Sequence, residues 1–233
     1  MKSSALRHIA FIPDGNRRWA RERSLIPWKG HEKSAGQFFE IAESAFKSGI
    51  SYVTLWAASV DNLTKRSTIE IKFLCSLLRR TLESKETIAR LMDNHIRLRI
   101  IGEYKQLIHD AKLILVIDQR EKDTMMFTER HLTILFGYDG KQEMKEAIRA
   151  LCKNPDVAIM DQTVQAHLWT ADLPPVDLVV RTGGEPHWSA GFMMWHTADS
   201  QFYFTEKLWP DFGIKELQDA CDDYARRERR FGK

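Results

Sequence analysis

Phosphate and metal chemistry is indicated by Asp14–Arg18, which combines one carboxylate, one glycine, one amide and two guanidinium groups. A carboxylate is a hard oxygen ligand, suited to Mg²⁺ that is held jointly with a diphosphate. Arginine side chains are forked donors that match phosphate oxygens. The segment follows the apolar run Ile9–Ile12 directly. The combination predicts an anion-binding pocket with a metal ligand at its edge.

The element that positions Asp14 is predicted to be a buried parallel strand over Ile9–Ile12, because this short run is rich in branched apolar residues. Pro13 has no amide hydrogen for a sheet, so the strand should end there. Asp14 would then lie at the carboxyl end of a strand, where open α/β sheets bind ligands. Asn16 is expected to cap a helix that begins at Arg17, and helix starts attract phosphate. A corner with two solvated arginines is the alternative.

The composition is that of one soluble globular domain, expected to span residues 1–233. Hydrophobic residues make up 43% and charged residues 29% of the chain, which is ordinary for this class. The net charge of +3, from 35 basic and 32 acidic residues, is too small to indicate a nucleic-acid partner.

A cytoplasmic location is expected from the cysteines and from the absence of targeting signals. Cys75, Cys152 and Cys221 are odd in number and far apart, which fits neither a disulfide framework nor a zinc site and suggests a reducing compartment. No apolar run is long enough to span a membrane, and Met1–Arg7 is too short and polar for a signal peptide. We therefore expect at most peripheral contact with a membrane.

Strands and helices alternate along the chain, which predicts an α/β fold whose mainly parallel sheet is covered by helices on its faces. Strands are predicted at Ile9–Ile12, Tyr52–Ala58, Ile96–Ile101, Leu132–Phe136, Asp177–Val180 and Phe202–Phe204. Helices are predicted at Glu32–Lys47, Ile69–Leu91, Leu107–Arg120, from a turn at Gly137–Gly140 to Leu151, at Val164–Trp169 and at Glu216–Arg229.

Further polar clusters follow other predicted strands or open helices. His31 opens the helix after the first corner, where it is either a phosphate donor or proton shuttle, or an ordinary surface residue. Ser59–Arg66 offers a hydroxyl, an amide and two cations, although an ordinary loop would look similar. Arg181–Glu185 places paired glycines beside an arginine, which suits an oxyanion. Such clusters at one sheet edge indicate two phosphorylated substrates, or one large one.

These motifs, in this order, resemble those of the cis-prenyltransferases, the undecaprenyl diphosphate synthase family. The matching segments are His8–Ala20, Gly30 with His31, Ser59–Arg66, Asp177–Glu185, Phe202–Thr205, Leu208–Phe212 and Arg227–Gly232. The resemblance implies an enzyme that condenses isopentenyl diphosphate with an allylic diphosphate, such as farnesyl or geranyl diphosphate, and forms cis double bonds. It also implies Mg²⁺, a six-stranded sheet with an apolar prenyl tunnel, and a homodimer.

The resemblance also implies roles for individual residues. Asp14 would be the essential metal-linked carboxylate, and Asn62 the active-site asparagine near the proton that isopentenyl diphosphate loses. The allylic diphosphate would be held by Gly15, Asn16, Arg17, Arg18 and His31, with Trp19 at the prenyl entrance. The isopentenyl diphosphate would be bordered by Ser59, Val60, Asp61 and Leu63 and bound by Arg181 and by Arg66 or Lys65. Arg230 would reach the site of the partner subunit. Because an amide is a poor base, we expect Asn62 to position the substrate while diphosphate or water accepts the proton.

Two departures from the family pattern fall on the isopentenyl side. The family usually has Arg-x-Ser after its Gly-Gly-Glu segment, whereas Pro186–Gly191 contains no arginine. His187 is expected to substitute as a donor beside Ser189. Gln201 stands where the family has an acidic metal-associated residue, and its neutral carbonyl oxygen would weaken a Mg²⁺ site.

Three alternatives to an ordinary synthase remain open at this point. One is a variant synthase with altered chain length, acceptor or coupling mode. Another is a non-catalytic partner subunit of a heteromeric synthase, against which Asp14, Asn16 and Arg18 argue. A nucleic-acid-binding protein is supported only by the arginines near the carboxyl terminus. The apolar face of Ile69–Leu91 is either one wall of a prenyl cavity or part of a plain core.

Overall fold

Six strands form one sheet in the computed structural model, which describes residues 6–153 and 156–227. The strands are β1 (His8–Ile12), β2 (Tyr52–Ser59), β3 (Ile96–Ile101), β4 (Arg130–Tyr138), β5 (Leu178–Arg181) and β6 (Gln201–Phe204). Their order across the sheet is β3-β4-β2-β1-β5-β6, and all neighbouring strands run parallel. The prediction of a six-stranded, mostly parallel sheet is therefore confirmed, with every pair parallel.

Helices connect the strands and cover both faces of the sheet. The first five are α1 (Asn16–Glu22), α2 (Trp28–Lys47), α3 (Val60–Lys65), α4 (Thr68–Glu83) and α5 (Lys85–Asp93). The others are α6 (Tyr104–Leu107), α7 (Ala111–Thr124), α8 (Gly140–Cys152), α9 (Asp161–Ala166) and α10 (Ile214–Arg226), with a 3₁₀ turn at Trp209–Asp211. Within the described ranges, no helix is long and apolar enough to cross a membrane.

The central strand β1 is completely buried, and its side chains alternate between two hydrophobic clusters. Ile9 and Phe11 belong to the larger cluster, which also contains apolar residues of α2, α4, α7 and α10. Ala10 and Ile12 belong to the smaller cluster on the other face, with Tyr138 at the end of β4. Because both faces are covered, β1 is fixed in position, and so is the residue that follows it.

The order of the strands reverses at β1, which creates a crevice at the carboxyl ends of the strands. β2, β3 and β4 lie on one side of β1, whereas β5 and β6 lie on the other. Ligands of open α/β sheets bind beside the carboxyl ends of strands at such a switch point. Asp14, Ser59 and Arg181 follow or end β1, β2 and β5, so the topology alone brings these three together.

The long helix predicted over Ile69–Leu91 is wrong in one respect, because it is two helices that meet at Ser84. The backbone of Ser84 is extended, and its hydroxyl accepts a hydrogen bond from Thr87 N at 3.1 Å. A serine side chain that bonds to the backbone in this way ends one helix and caps the next.

Other boundaries also differ from the predictions. Helix α2 begins at Trp28, earlier than predicted, and α7 begins at Ala111, where Asp110 caps Leu113 N at 3.0 Å. Strand β4 continues through Gly137, which was predicted to lie in a turn. Helix α9 begins before the predicted Val164 and ends before Trp169. These shifts leave the order of elements unchanged.

Candidate active site

A polar cavity of about 270 Å³ lies at the carboxyl ends of β1, β2 and β5. The predicted site residues that line it are Asp14, Gly15, Asn16, Arg17, Arg18, His31, Ser59, Asn62, Arg66, Arg181 and Ser189. Ile12, Pro13, Trp56 and Ala57 complete the lining. Residues far apart in the sequence thus converge on one space that contains four guanidinium groups and one carboxylate.

The carboxylate of Asp14 lies between two guanidinium groups. Arg181 Nη2 donates to Asp14 Oδ2 at 3.2 Å, and Arg18 Nη2 lies 3.6 Å from Asp14 Oδ1. The backbone of Asp14 is attached to β5, because its amide donates to Thr182 Oγ1 at 2.9 Å and its carbonyl accepts from the same hydroxyl at 2.8 Å. The carboxylate is consequently held in place, and the surrounding positive charge exceeds its own.

The turn from β1 into α1 requires glycine at position 15. Gly15 has φ +103°, and a Cβ atom there would lie 2.7 Å from Leu208 Cδ2. The prediction that Asn16 caps the helix is wrong, because the helix already includes Asn16 and its side chain points elsewhere. Asn16 Nδ2 donates to Pro13 O at 3.3 Å, and Asn16 Oδ1 accepts from Ser34 Oγ at 2.6 Å. Asn16 therefore connects the turn to α2.

Helix α2 approaches this turn closely at Gly30. A Cβ atom on Gly30 would lie 2.1 Å from the carbonyl oxygen of Asn16, so no larger residue fits. The next residue, His31, faces the cavity, and its Nε2 is buried with no hydrogen-bond partner among the described residues. Burial and the positive charges of Arg66 and Arg17 lower the pKa of His31 to about 4. His31 is therefore neutral at neutral pH.

The segment after β2 forms a capping box that fixes Asn62 at the cavity. Ser59 Oγ accepts from Asn62 N at 3.0 Å, and Asn62 Oδ1 accepts from Ser59 N at 3.3 Å. The capping box explains why a hydroxyl residue, Ser59, and an amide residue, Asn62, are three positions apart in the sequence.

Arg66, and not Lys65, is the cation of this segment that lines the cavity. The Arg66 side chain is 19% exposed and pairs with Glu70 Oε1 at 3.0 Å, whereas Lys65 is 73% exposed and pairs with Asp61 Oδ2 at 2.7 Å. The sequence left these two cations as alternatives, and the structure separates them.

Several predicted site residues lie outside the cavity. Val60, Asp61 and Lys65 lie on α3, and Leu63 is buried in the larger hydrophobic cluster. Trp19 donates from Nε1 to Asp211 Oδ1 at 2.7 Å, and the Arg23 guanidinium lies 4.4 Å from the centre of its ring. Trp19 is thus held against the 3₁₀ turn and lines neither the polar cavity nor its apolar neighbour.

An apolar cavity of about 110 Å³ adjoins the polar one. The two share Pro13, Asn16, His31 and Ala57 in their linings. The remaining lining residues are Ser34, Ala35, Phe38, Phe39, Leu55, Leu74, Leu77, Leu78, Thr81, Ile134, Phe136 and Trp209. One wall of this cavity is therefore the apolar face of α4.

The opposite side of the polar cavity is formed by β5 and the loop that follows it. Arg181 is buried, and its Nη1 donates to Ser189 Oγ at 2.5 Å and to His187 O at 3.1 Å. Ser189 lines the cavity, whereas His187 stands behind it, with its side chain 55% exposed. His187 Nε2 lies 2.9 Å from Ser189 Oγ, and His187 Nδ1 lies 3.5 Å from Glu185 Oε2.

Comparison with known proteins gives a consistent result along the chain. A family model described as "Putative undecaprenyl diphosphate synthase" matches residues 12–232. The isoprenyl transferase of Chromobacterium violaceum is 38% identical over 227 residues, covering 97% of this chain and 88% of that protein. That of Thermus thermophilus is 34% identical over 237 residues, covering 97% of this chain and 89% of that protein. The chain belongs to the cis-prenyltransferase family. It is a prenyltransferase.

Two solved structures share the fold of this cis-prenyltransferase. Lavandulyl diphosphate synthase from Lavandula x intermedia, in complex with dimethylallyl diphosphate, superposes with a TM-score of 0.90 at 30% identity, over 97% of this chain and 98% of that chain. A probable undecaprenyl diphosphate synthase from Campylobacter jejuni gives a TM-score of 0.79 at 26% identity, over 99% and 100% of the two chains.

Gln201, which the sequence places at the family's acidic metal-associated position, lies away from Asp14 within one chain of this prenyltransferase. Gln201 begins β6 and pairs with Leu178, whereas Asp14 follows the carboxyl end of β1. Three residues of strand, or about 10 Å, separate Gln201 from the carboxyl end of β6. No group of three or more metal-ligating side chains occurs in the described part of the chain. Arg230 lies outside the described residues.

Sequence reasoning missed Trp56, which lines the polar cavity near the end of β2. Its indole Nε1 donates to Tyr138 O at 3.2 Å, and its ring stacks on Phe192 at 5.2 Å between centroids. The only available signal was its place near the end of an apolar strand, and a core tryptophan has the same signature.

Proposed function

We propose that this prenyltransferase condenses isopentenyl diphosphate with an allylic diphosphate to form a longer prenyl diphosphate. The observation that carries the proposal is the contact between the two cavities. The polar cavity contains four guanidinium groups, and the apolar cavity shares Pro13, Asn16, His31 and Ala57 with it. An allylic diphosphate has a charged head, which matches the polar cavity, and an apolar tail, which matches the apolar cavity.

The head of the allylic substrate would lie among Arg17, Arg18 and Arg66, beside the neutral His31. Guanidinium groups stabilise the negative charge that develops on the departing diphosphate, and they do so more strongly where water is excluded. Gly15 and Asn16 would contact the same diphosphate from the turn. The electron pair of the carbon–oxygen bond leaves with the diphosphate, which produces an allylic cation.

The tail of the allylic substrate would extend between α2 and α4. Phe38, Leu74 and Leu77 lie on these two helices and line the apolar cavity. Burial of apolar surface is worth about 0.8 kcal/mol per methylene group, so a prenyl tail contributes substantially to binding.

Mg²⁺ fits this site through Asp14. A single carboxylate in a polar cavity suits Mg²⁺, which is usually held by one or two carboxylates together with substrate phosphates. When bound, Mg²⁺ would neutralise diphosphate charge and thereby favour departure of the leaving group. Asp14 would hold it, and Arg18 and Arg181 would keep the carboxylate oriented. Gln201 of the same chain is too distant to contribute.

Isopentenyl diphosphate would occupy the side of the cavity nearest to β5. Arg181 and Ser189 offer donors there, and Asn62 faces the same space from α3. The double bond of isopentenyl diphosphate attacks the allylic cation, and the product then loses one proton. Asn62 positions this substrate, because a neutral amide is a poor base.

We further propose a cytoplasmic homodimer. Cys75, Cys152 and Cys221 are free thiols, as expected in a reducing compartment. Strand β6 is an edge of the sheet, and Phe204 on it is 41% exposed and stacks on Phe202. An exposed strand edge with aromatic side chains is suited to a partner subunit.

The test is an assay with Mg²⁺, radiolabelled isopentenyl diphosphate and, in separate reactions, dimethylallyl, geranyl or farnesyl diphosphate. We expect butanol-extractable product with at least one of the three. Absence of product with all three would contradict the proposal and favour a non-catalytic partner subunit. Sedimentation of the purified protein would give its oligomeric state.

A second candidate function is a synthase with a different coupling mode. It is favoured by the TM-score of 0.90 to lavandulyl diphosphate synthase, together with the lack of arginine in Pro186–Gly191. The same assay separates the two, because gas chromatography of the dephosphorylated product against authentic standards distinguishes a linear cis-prenol from a branched alcohol of the same mass.

A further inference from the structure

A hydroxyl, an imidazole and a carboxylate form a chain that leads from the polar cavity to solvent. Ser189 lines the cavity, His187 Nε2 lies 2.9 Å from Ser189 Oγ, and Glu185 Oε2 lies 3.5 Å from His187 Nδ1. More than half of the His187 side chain is exposed. An imidazole paired with a hydroxyl on one side and a carboxylate on the other is the arrangement in which a hydroxyl proton moves to a base.

Arg181 determines which way the hydroxyl hydrogen points. A guanidinium group only donates, so Arg181 Nη1, at 2.5 Å, uses a lone pair of Ser189 Oγ. The single hydrogen of Ser189 is then available to His187 Nε2. The carboxylate of Glu185 favours the imidazole tautomer with its hydrogen on Nδ1, which leaves Nε2 free to accept.

We propose that Ser189 and His187 form a relay that accepts the proton lost in prenyl condensation. This inference rests on the function proposed above. It assigns to His187 a part different from the diphosphate donor expected from the sequence, and it replaces diphosphate or water, which the sequence led us to expect, as the acceptor of the proton. A histidine that takes up a proton must be neutral before the reaction, whereas a permanently charged arginine at that position could not accept one.

The proposed step balances in protons and electrons. After the new carbon–carbon bond forms, the adjacent carbon–hydrogen bond breaks, and its electron pair becomes the new double bond. Ser189 Oγ takes this proton while its own proton passes to His187 Nε2. Glu185 stabilises the resulting imidazolium, which then releases its proton to water from its exposed side.

Other groups in the cavity are poorer acceptors for this proton. The pKa of His31 is lowered to about 4 by burial and by Arg66 and Arg17, which makes His31 a weak base. Asp14 is engaged by two guanidinium groups. Asn62 is neutral, and its amide oxygen accepts from Ser59 N. Among the described residues, two imidazoles lie in the cavity lining or directly behind it, namely His31 and His187. Of these two, His187 is the one with a side chain open to solvent.

The decisive variant is His187→Arg, because a diphosphate donor and a proton acceptor predict opposite results. With radiolabelled isopentenyl diphosphate and the best allylic partner, we expect the single-turnover rate to fall about 100-fold, as is typical for loss of a general base. The KM for isopentenyl diphosphate should change less than about threefold, since Arg181 remains. A rate equal to or above that of the natural protein would overturn the relay.

Two further variants test whether the residues act as one unit. Ser189→Ala should lose about as much rate as His187→Gln, and the double variant should lose little more, because members of one relay are not additive. Full additivity would contradict the relay. His167→Gln is the matched control, because His167 is an exposed histidine that bonds to Thr163 O and lines neither cavity, and its rate should not change.

A measurement without turnover keeps the relay separate from the proposed function. In ¹⁵N–¹H NMR spectra, neutral His187 should carry its hydrogen on Nδ1, and Ser189→Ala should shift its Nε2 resonance. A hydrogen on Nε2 of neutral His187 would overturn the relay even in an active synthase. Conversely, if the natural protein does not extend any allylic substrate in the assay, the condensation itself is refuted, and the relay with it.

Discussion

The two halves of the polar cavity are built differently. The allylic half consists of residues on or next to regular elements, since Asn16 lies on α1, His31 on α2 and Arg66 at the end of α3. The isopentenyl half has the buried Arg181 on a strand and Asn62 on α3, and otherwise depends on the loop between β5 and β6. Residues 184–188 of that loop are exposed. A loop tolerates substitution better than packed elements do, and one of the two departures from the family pattern, Pro186–Gly191, lies there.

In the proposed function, the allylic half carries the departure of diphosphate, on which the condensation depends. The loop half would receive the second substrate and dispose of a proton, which more than one set of side chains can do. Catalytic groups on regular elements are positioned more precisely than those on loops. The largest effect should therefore come from Asp14, which follows the fully buried strand β1, and not from a residue of the loop.

The largest effect is expected for Asp14→Ala, which removes the carboxylate between Arg18 and Arg181. We expect turnover to fall at least about 1,000-fold, since both metal binding and the order of the guanidinium groups are lost. Steady-state assays with Mg²⁺ measure this. Asp118→Ala is the control, because Asp118 is a half-exposed carboxylate that pairs with Lys105 at 2.8 Å. Retention of more than a tenth of the activity by Asp14→Ala would remove Asp14 from its proposed role.

A smaller effect is expected for Arg66→Ala, compared with its neighbour Lys65→Ala. Loss of one charge-assisted hydrogen bond to the diphosphate is worth about 2 kcal/mol, or about 30-fold in kcat/KM for the allylic substrate. Lys65 points away from the cavity and pairs with Asp61, so its removal should change kcat/KM less than about twofold. Equal losses in both variants would contradict the assignment of Arg66, and not Lys65, to the diphosphate.

The smallest effect is expected in the pH dependence of the free energy of unfolding, and it results from the burial of His31 in the allylic half. The imidazole of His31 takes up a proton near pH 6.5 when unfolded, but its folded pKa is about 4. Between these values the unfolded state binds more protons, so acidification destabilises the fold. The free energy of unfolding should fall by about 1 kcal/mol more in the natural protein than in His31→Gln between pH 7.5 and pH 5, allowing for residual exposure. Urea titrations at both pH values measure it, and parallel losses would contradict the burial of His31.

The sequence predicted those parts of the fold that depend on local pattern. The strand at Ile9–Ile12, the glycine turn and the convergence of polar residues at one sheet edge all follow from apolar runs and from strand–helix alternation. The interruption at Ser84 had a local signal too, since a serine followed by Glu86 in the first turn matches a helix start. That signal was masked by the continuous apolar periodicity of the two helices.

Features that depend on packing between distant elements were not predictable. The lowered pKa of His31 results first from burial and then from the charges of Arg66, just after α3, and Arg17, on α1. The distance of Gln201 from Asp14 follows from the register of β6 against β5, and no pattern in a short strand fixes that register. The relay of Ser189 and His187 depends on Arg181, which determines the direction of a hydroxyl hydrogen.

The close contact of α2 with the turn at Gly30, which has no side chain, has a consequence for the evolution of product size. Because the backbone of α2 contacts the carbonyl oxygen of Asn16 directly, α2 and the turn at Asn16 cannot move independently. The wall of the apolar cavity is thereby coupled to the proposed diphosphate site. A displacement of α2 that makes room for a longer tail would also displace the turn that is proposed to bind the diphosphate head. New chain lengths are therefore more accessible through exchange of single side chains on α4, such as Leu74 or Leu77, than through movement of α2.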